Sequence, residues 1–191
     1  MTKMLYAWRK REPTSLLPQL LVAGALLVMI LTAYEAAAEH RHEPLNGAEV
    51  EQLRDAAQEP EERILLYVKF IKSRAGSLEQ LYSDPRFEPG RASQIRDLLE
   101  DIDQLVQEMD DNIDGYATQR TDLRKPLKAV VEMEGGLAPK LQAMKQNTDL
   151  PQAQTYSFAL HSVMESVNDS LGNARQLLQE QETAFKDRKK K

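Results

Sequence analysis

Four segments of the chain repeat apolar residues at alternating spacings of four and three, and this repeat limits the fold more than any other feature. Residues spaced in this way share one face of an α-helix, which other helices have to cover. A strand would instead alternate β-branched and polar residues, and no segment has that pattern. The coiled-coil-like repeats therefore predict an all-α fold. The four stripes are Ile64, Val68, Ile71, Ala75, Leu78 and Tyr82; Ile95, Leu98, Ile102, Leu105, Met109 and Tyr116; Leu123, Leu127, Val130, Leu137, Leu141 and Met144; and Leu160, Met164, Val167, Leu171, Ala174, Leu178 and Phe185.

Prolines and glycines separate these stripes into about four long helices. Pro60 suits the first position of a helix, and residues 83–90 end that helix because they contain two prolines and a glycine. A second helix is predicted over about residues 91–118, and Pro126 fits the beginning of a third. Asp149 has the character of an N-cap for the fourth and longest helix. Long helices with short connections predict an antiparallel up-and-down bundle.

A short helix is expected before the bundle. Asn46 and Glu49 have the spacing of an N-cap and an acidic third helical residue, which can bond each other's backbone. This pair predicts a helix that runs to about Gln58.

Three polar residues interrupt the stripes, namely Asn112, Glu134 and Gln181. A lone polar residue such as Asn112 can fix the register of a helical seam. Glu134 is followed by two glycines and then by Pro139, all of which disfavour a helix interior. We therefore expect the third helix to kink or break at this point.

Residues 16–38 form an apolar segment that bears on where in the cell the protein is located. Basic residues precede it, and its uninterrupted apolar part, residues 20–32, would span about 20 Å as a helix against the ~30 Å of a bilayer's hydrocarbon. It ends in three alanines, the small-residue pattern of a signal-peptidase site, so cleavage is expected between Ala38 and Glu39. The alternative is an uncleaved single-pass anchor, which would have to place Glu35 in the membrane. Both interpretations export residues 39–191 to the periplasm or the extracellular space.

The expected organisation is a signal peptide or signal anchor in residues 1–38, a polar linker with the short helix in 39–59, the bundle in 60–187 and a basic tail in 188–191. Residues 39–191 contain 21 basic and 28 acidic residues, a net charge of −7 that argues against nucleic acid as a partner. The chain has no cysteine, which excludes disulfides, thiolate nucleophiles and zinc–thiolate sites.

Asp110, Asn112, Asp114 and Gly115 match the first half of a calcium-binding loop, in which alternate oxygens reach one ion. The segment resembles an EF-hand over this one loop only. Position twelve should be a glutamate that supplies two oxygens and is Thr121 here. The missing ligand favours an acidic helix end over a calcium site.

Ser157, His161 and Glu165 are spaced by four and share one helix face, which superficially assembles a nucleophile, a base and an orienting carboxylate. Nucleophilic catalysis also needs an oxyanion hole, and one straight helix supplies none. The favoured interpretation is a solvated flank of the last helix.

His161 also suggests a haem ligand, with a methionine of another helix as its partner. Cytochrome b562-like bundles hold haem between their helices in this way, but they place the methionine at the start of the first helix, which here has none. Methionines at stripe positions are more commonly core residues. The methionines concerned are Met109, Met133, Met144 and Met164.

The two ends of the exported part carry the remaining candidate residues. His40 and His42 could bind copper or nickel weakly, although a polar linker does not preorganise a site. Residues 186–191 include five basic residues and one acidic residue. They could meet anionic lipid or an acidic partner, but complementing the helix dipole is the favoured interpretation.

The sequence thus predicts an exported, non-catalytic helical bundle, with no cofactor, that acts as a structural, adaptor or partner-binding protein. The alternative is a metal, calcium or haem carrier that uses His161 or the loop from Asp110 to Asp114. The partner is expected to be another protein, and the sustained repeats also permit a homodimer. Membrane association is expected only if residues 16–38 are retained.

Overall fold

A computed structural model of the chain describes residues 43–83, 90–146 and 153–188. These residues form five α-helices and no strand, which confirms the all-α prediction. The helices are α1 (Gly47–Asp55), α2 (Pro60–Ser83), α3 (Arg91–Thr118), α4 (Arg124–Gln146) and α5 (Ala153–Arg188), with a 3₁₀ turn (Ala56–Gln58) between the first two. The apolar segment 16–38, His40, His42, the Asp149 cap and the last three lysines lie outside the described residues.

Local signals in the sequence set the beginnings of α1 and α2. The Asn46 side chain accepts hydrogen bonds from the backbone N–H groups of Ala48 and Glu49, and the Glu49 carboxylate accepts one from the Asn46 N–H at 2.9 Å. This reciprocal capping pair confirms the predicted short helix. α2 begins at Pro60, whose missing N–H costs nothing in the first turn.

α4 is one continuous helix, so of the kink or break expected at Gly135 and Gly136 the break is wrong, and the kink stays a prediction. Met133 and Leu137, on either side of the glycines, are buried in the core, and α4 packs against both α2 and α5. Tertiary packing therefore overrides the poor helix propensity of this stretch. Pro139 still removes one helical hydrogen bond, the one its nitrogen would have donated to the Gly135 carbonyl.

Most residues of the predicted stripes belong to one hydrophobic core or pack against it. The stripes of α2, α3 and α5 are wider or longer than the repeat alone indicates, because further apolar residues of these helices are buried as well. These additional core residues are Tyr67, Phe70, Leu99, Val106, Ile113, Tyr156 and Val163. None of the helices in the described ranges has the length and hydropathy needed to cross a membrane.

Successive long helices run in opposite directions, as predicted, but their order around the bundle differs from their order along the chain. α2 packs on α3, α3 on α5, α5 on α4 and α4 on α2, so the consecutive helices α3 and α4 stand at opposite corners. α3 and α5 are therefore parallel neighbours, as are α2 and α4. Lys140 of α4 accordingly pairs with Glu79 near the end of α2, and Lys125 pairs with Glu61 near its beginning.

Candidate functional site

Three serines of α5 face two aspartates of α3 across their parallel interface. Ser162, Ser166 and Ser170 are spaced by four, and Asp103 and Asp110 are spaced by seven, so each set lies along one helix face. The Ser162 hydroxyl donates to Asp103 Oδ2 at 2.7 Å, and the Ser166 hydroxyl donates to Oδ1 of the same carboxylate. Hydrogen bonds as well as apolar contacts thus hold α3 against α5.

Ser170 lies at the end of this row and reaches two carboxyl groups. Its Oγ is 2.7 Å from Asp110 Oδ1 on α3 and 2.6 Å from Glu134 Oε1 on α4. Ser170 and Glu134 have no solvent exposure, and Glu134 Oε2 has no hydrogen-bond partner. We call Asp110, Glu134 and Ser170 the acid–serine cluster. It ties three of the four long helices together through a single hydroxyl.

The hydrogen-bond geometry of the acid–serine cluster requires a proton. A serine hydroxyl has one hydrogen to donate, so a bond to each carboxyl needs one of the two carboxyls to be protonated. Burial raises the pKa of Glu134 to about 8, and the nearby Asp110 adds to the shift while the Ser170 hydrogen bond opposes it. Burial also raises the pKa of Asp110 to about 6, against the Ser170 bond and with smaller effects from Asp114 and Asp111. The stronger upward shift of the Glu134 pKa favours the arrangement in which Glu134 keeps a proton and donates to Ser170, while Ser170 donates to the Asp110 carboxylate.

A second polar group fastens the N-terminal segment to the bundle. Arg74 of α2 donates to both carboxylate oxygens of Glu49 at 2.6 Å and to the Pro44 carbonyl at 2.6 Å. Asp101 of α3 lies 3.9 Å from Arg74 Nε. The bond to Arg74 lowers the pKa of Glu49, although burial opposes it, and the same bond raises the pKa of Arg74. The arrangement is a clamp that holds α1 in place.

Arg63, near the beginning of α2, also links the N-terminal segment to the bundle. Its guanidinium donates to the Leu53 carbonyl at 2.6 Å and to Asn112 Oδ1 at 2.8 Å. Asn112 in turn donates to the Glu108 carbonyl of its own helix at 2.6 Å. The polar residue that interrupts the α3 stripe thus connects α3 to α2.

Gln181, the polar interruption of the α5 stripe, supports the connection between α3 and α4. Its side-chain oxygen accepts from the Leu123 N–H at 2.8 Å, and its amide nitrogen donates to the Thr121 carbonyl at 3.0 Å. Backbone polar groups next to the core need hydrogen-bond partners. Gln181 supplies a partner for two of them in the segment that connects α3 to α4.

An apolar groove lies between α2 and α4 toward the ends of the two helices. Its volume is about 270 Å³, and Leu78, Tyr82, Leu137, Leu141 and Met144 form most of its wall. Glu79 and Lys140, which also line it, form an ion pair at 2.6 Å between the two helices. We call this feature the α2–α4 groove.

The segment that matches half of a calcium-binding loop is part of helix α3. Gly115 is helical and makes no sharp turn, and Asp114 is exposed. Asp110 bonds to α5 whereas Asn112 bonds to α2, so the structure does not bring these oxygens to one point. Among the described residues, no group of three or more histidine and acidic side chains is placed to hold a metal ion.

Ser157, His161 and Glu165 all lie exposed on α5. The Ser157 hydroxyl donates to the Gln154 carbonyl of its own helix at 3.2 Å, not to His161. Met109, Met133, Met144 and Met164 are buried in the core, whereas His161 is exposed on α5.

The polar contacts between α5 and its neighbouring helices come from a different series of α5 residues. Ser162, Ser166 and Ser170 follow a spacing of four that starts one residue after His161. Their proximity to the stripe, together with the seven-residue spacing of Asp103 and Asp110, was the signal that could have revealed them.

No protein-family model matches this chain, and comparisons with curated proteins and with solved structures gave no match. Fold class and side-chain geometry are therefore the grounds on which a function can be proposed.

Proposed function

We propose that this protein is an exported, non-catalytic helical bundle that binds another protein through its helix faces, with the α2–α4 groove as the binding surface. The observation that carries the proposal is the apolar wall of that groove, formed by Leu78, Tyr82, Leu137, Leu141 and Met144. Two parallel helices with apolar residues between them are a suitable surface for the apolar face of a third helix.

The dimensions and charges of the groove indicate the kind of partner. At about 270 Å³, the groove is below the usual volume of about 300–1,000 Å³ for small-molecule sites. It suits one or two large side chains of an amphipathic helix. Glu79 and Lys140 at the groove carry opposite charges, so the polar flank of that partner helix should carry both an acidic and a basic residue.

The non-catalytic part of the proposal is supported by where the titratable groups lie. Glu134, whose pKa is the most strongly raised, is completely buried together with Ser170. A catalytic group has to reach its substrate, and these two are enclosed by three helices. Their contacts instead suit a structural role within the bundle.

Site-specific photocrosslinking in cells of the source organism tests the proposal. Tyr82, in the groove wall, is replaced by the photoreactive benzoylphenylalanine, and the matched control replaces Phe158, an aromatic residue of α5 that is 84% exposed. We expect one discrete protein adduct from position 82 and none from position 158.

The same adduct should be lost when Ala143→Glu places a charge in the groove and retained with Ala184→Glu, because Ala184 is exposed on α5. An adduct that forms only from position 158, or one that survives Ala143→Glu, would contradict binding in the groove. So would the absence of any adduct from position 82.

A further inference from the structure

We propose that the acid–serine cluster is a proton-controlled hinge, in which a proton held between Glu134 and Ser170 keeps the C-terminal half of α4 docked and its loss releases that half. The distances carry this inference, since Ser170 Oγ lies 2.7 Å from an Asp110 oxygen and 2.6 Å from a Glu134 oxygen. When both carboxyls are ionised, the single hydroxyl hydrogen can serve only one of them. The other carboxylate oxygen then faces a lone pair of Ser170 at hydrogen-bond distance.

The surroundings of Glu134 offer an ionised carboxylate no compensation. Glu134 Oε2 has no partner, and burying an unpaired charge is strongly unfavourable. Asp110 faces it from α3, with Asp111 and Asp114 nearby on the same helix, so the charges on that side are also negative. The deprotonated state is therefore relieved only by a movement that admits water.

Two cations, Arg175 of α5 and Lys72 of α2, lie beside residues of α4 that neighbour Glu134 in the chain. On α5, Arg175 is exposed, and its Nη2 lies 3.9 Å from where a Cβ on Gly135 would be. On α2, Lys72 lines the far side of α4 beside Met133 and Gly136. Among the described residues, no cation contributes to the shift in the Glu134 pKa, which burial raises to about 8.

α4 is weakest immediately after Glu134, and this places the hinge. Gly135 and Gly136 follow in the chain, and Pro139 cannot donate to the Gly135 carbonyl. A helix that lacks this bond bends there more easily than elsewhere. Residues 137–146 are thus the part of α4 that can leave while the first half stays packed.

This movement has a consequence that rests on the function proposed above. Leu137, Leu141 and Met144 belong to the released half and also form one wall of the α2–α4 groove. Loss of the proton would widen the groove, so partner binding would depend on pH.

Hydrogen–deuterium exchange of the purified native protein tests the hinge without any partner, so its outcome does not depend on whether the groove binds one. Exchange is compared at pH 6 and pH 9 after correction for the intrinsic rate. Because the pKa of Glu134 is about 8 in the closed state and near its ordinary 4.5 when released, protection of residues 137–146 should fall by up to about 100-fold. The first half of α4 should lose much less.

Glu134→Gln keeps the side-chain shape without an acid, and it should abolish the pH-dependent loss of protection. Glu132→Gln is the matched control, since Glu132 is exposed on the same helix, and it should behave like the native chain. An equal loss of protection in Glu134→Gln and the native chain would overturn the proposal, and so would a loss spread evenly over α4.

If Glu134→Gln does not fold, infrared spectroscopy of the native chain decides. A carbonyl band of a protonated carboxylic acid should be present at pH 7 and absent at pH 9.5. Absence of that band at pH 7 would overturn the proposal.

Discussion

Glu134 Oε1 and Ser170 Oγ lie 2.6 Å apart in the interior of the bundle, and neither residue is exposed to solvent. Asp110 reaches the same hydroxyl from a third helix at 2.7 Å. Buried polar groups stabilise a fold when every member has a partner and destabilise it when one partner is removed. The stability of the bundle should therefore depend on this hydroxyl more than on any exposed serine of α5.

Replacing Ser170 with alanine should lower the free energy of unfolding by about 1–3 kcal/mol, because Glu134 and Asp110 both lose their shared partner inside the protein. The matched control is Ser157→Ala on the same helix, whose exposed hydroxyl bonds only within α5. It should change stability by less than about 0.5 kcal/mol. Urea denaturation at pH 7 measures both variants, and equal effects would show that the cluster does not hold the helices together.

Replacing Arg74 with alanine should free the N-terminal segment, since Arg74 makes both bonds to Glu49 and one to the Pro44 carbonyl. Loss of these charged hydrogen bonds should lower the free energy of unfolding by about 2–3 kcal/mol. Amide protection in residues 47–55 should decrease first. Hydrogen–deuterium exchange measures this, with the amide exchange rate of residues 47–55 compared with that of α5 in the same protein.

Arg54→Ala is the control for the clamp, because Arg54 forms an exposed ion pair with Glu51 on α1 itself. It should leave the amide protection of α1 almost unchanged. If Arg54→Ala loosened α1 as much as Arg74→Ala does, the clamp would be refuted.

The clamp also predicts a pH effect. The pKa of Glu49 is lowered in the folded state, so the contribution of Glu49 to the free energy of unfolding is present above the ordinary value of 4.5 and disappears as the pH falls below it.

Gln181→Ala should destabilise the protein by about 1–3 kcal/mol, because it leaves the buried N–H of Leu123 without its acceptor. Gln179→Ala, at an exposed position of the same helix, should have little effect. Thermal unfolding followed by circular dichroism compares the two. Similar melting temperatures for both variants would contradict the proposed support of the α3–α4 connection by Gln181.

Cleavage of the apolar N-terminal segment can be tested through Trp8, the only tryptophan of the chain. If a signal peptidase removes residues 1–38, the exported protein has an intact mass that begins at Glu39 and shows no indole fluorescence. Indole emission from the purified native product would instead mean that the segment is retained as an anchor. The two readouts, mass and fluorescence, should agree.

Features that depend on neighbours in sequence could be predicted from the sequence. The Asn46–Glu49 capping pair and the start of α2 at Pro60 are local, because each is decided within one helical turn. The apolar repeats likewise predict which residues enter the core, since a helix has a fixed period.

Features that depend on which helices meet could not be predicted in this way. The repeat says that a helix face is covered but not by which helix, so the placement of α3 beside α5 is absent from the pattern. α4 stays helical through Gly135, Gly136 and Pro139 because its packing outweighs its propensity. Glu134 was recognisable as an interruption of its stripe, but its partner Ser170 lies 36 residues away on another helix.

The candidate residues of α5 show the same limit in another form. Ser157, His161 and Glu165 form one series with a spacing of four, and Ser162, Ser166 and Ser170 form a second. The first series includes the residue types of a catalytic triad, yet the second one faces the bundle. Proximity to the apolar stripe and the spacing of the aspartates on α3 together distinguish the two series.

The pH dependence of unfolding, compared between the native chain and Glu134→Gln, tests the central claim that a proton is held inside the bundle. The pKa of Glu134 is about 8 when folded and near 4.5 when unfolded, so the folded state keeps a proton that the unfolded state releases. Ionisation of Glu134 then costs no stability below about pH 4.5. As the pH rises from about 4.5 to about 8, it lowers the free energy of unfolding progressively. Taking the difference between the two proteins cancels the contributions of titratable groups that do not interact with Glu134. Between pH 6 and pH 8 the native chain should lose about 2 kcal/mol more than Glu134→Gln. Parallel pH profiles for the two proteins would contradict the account.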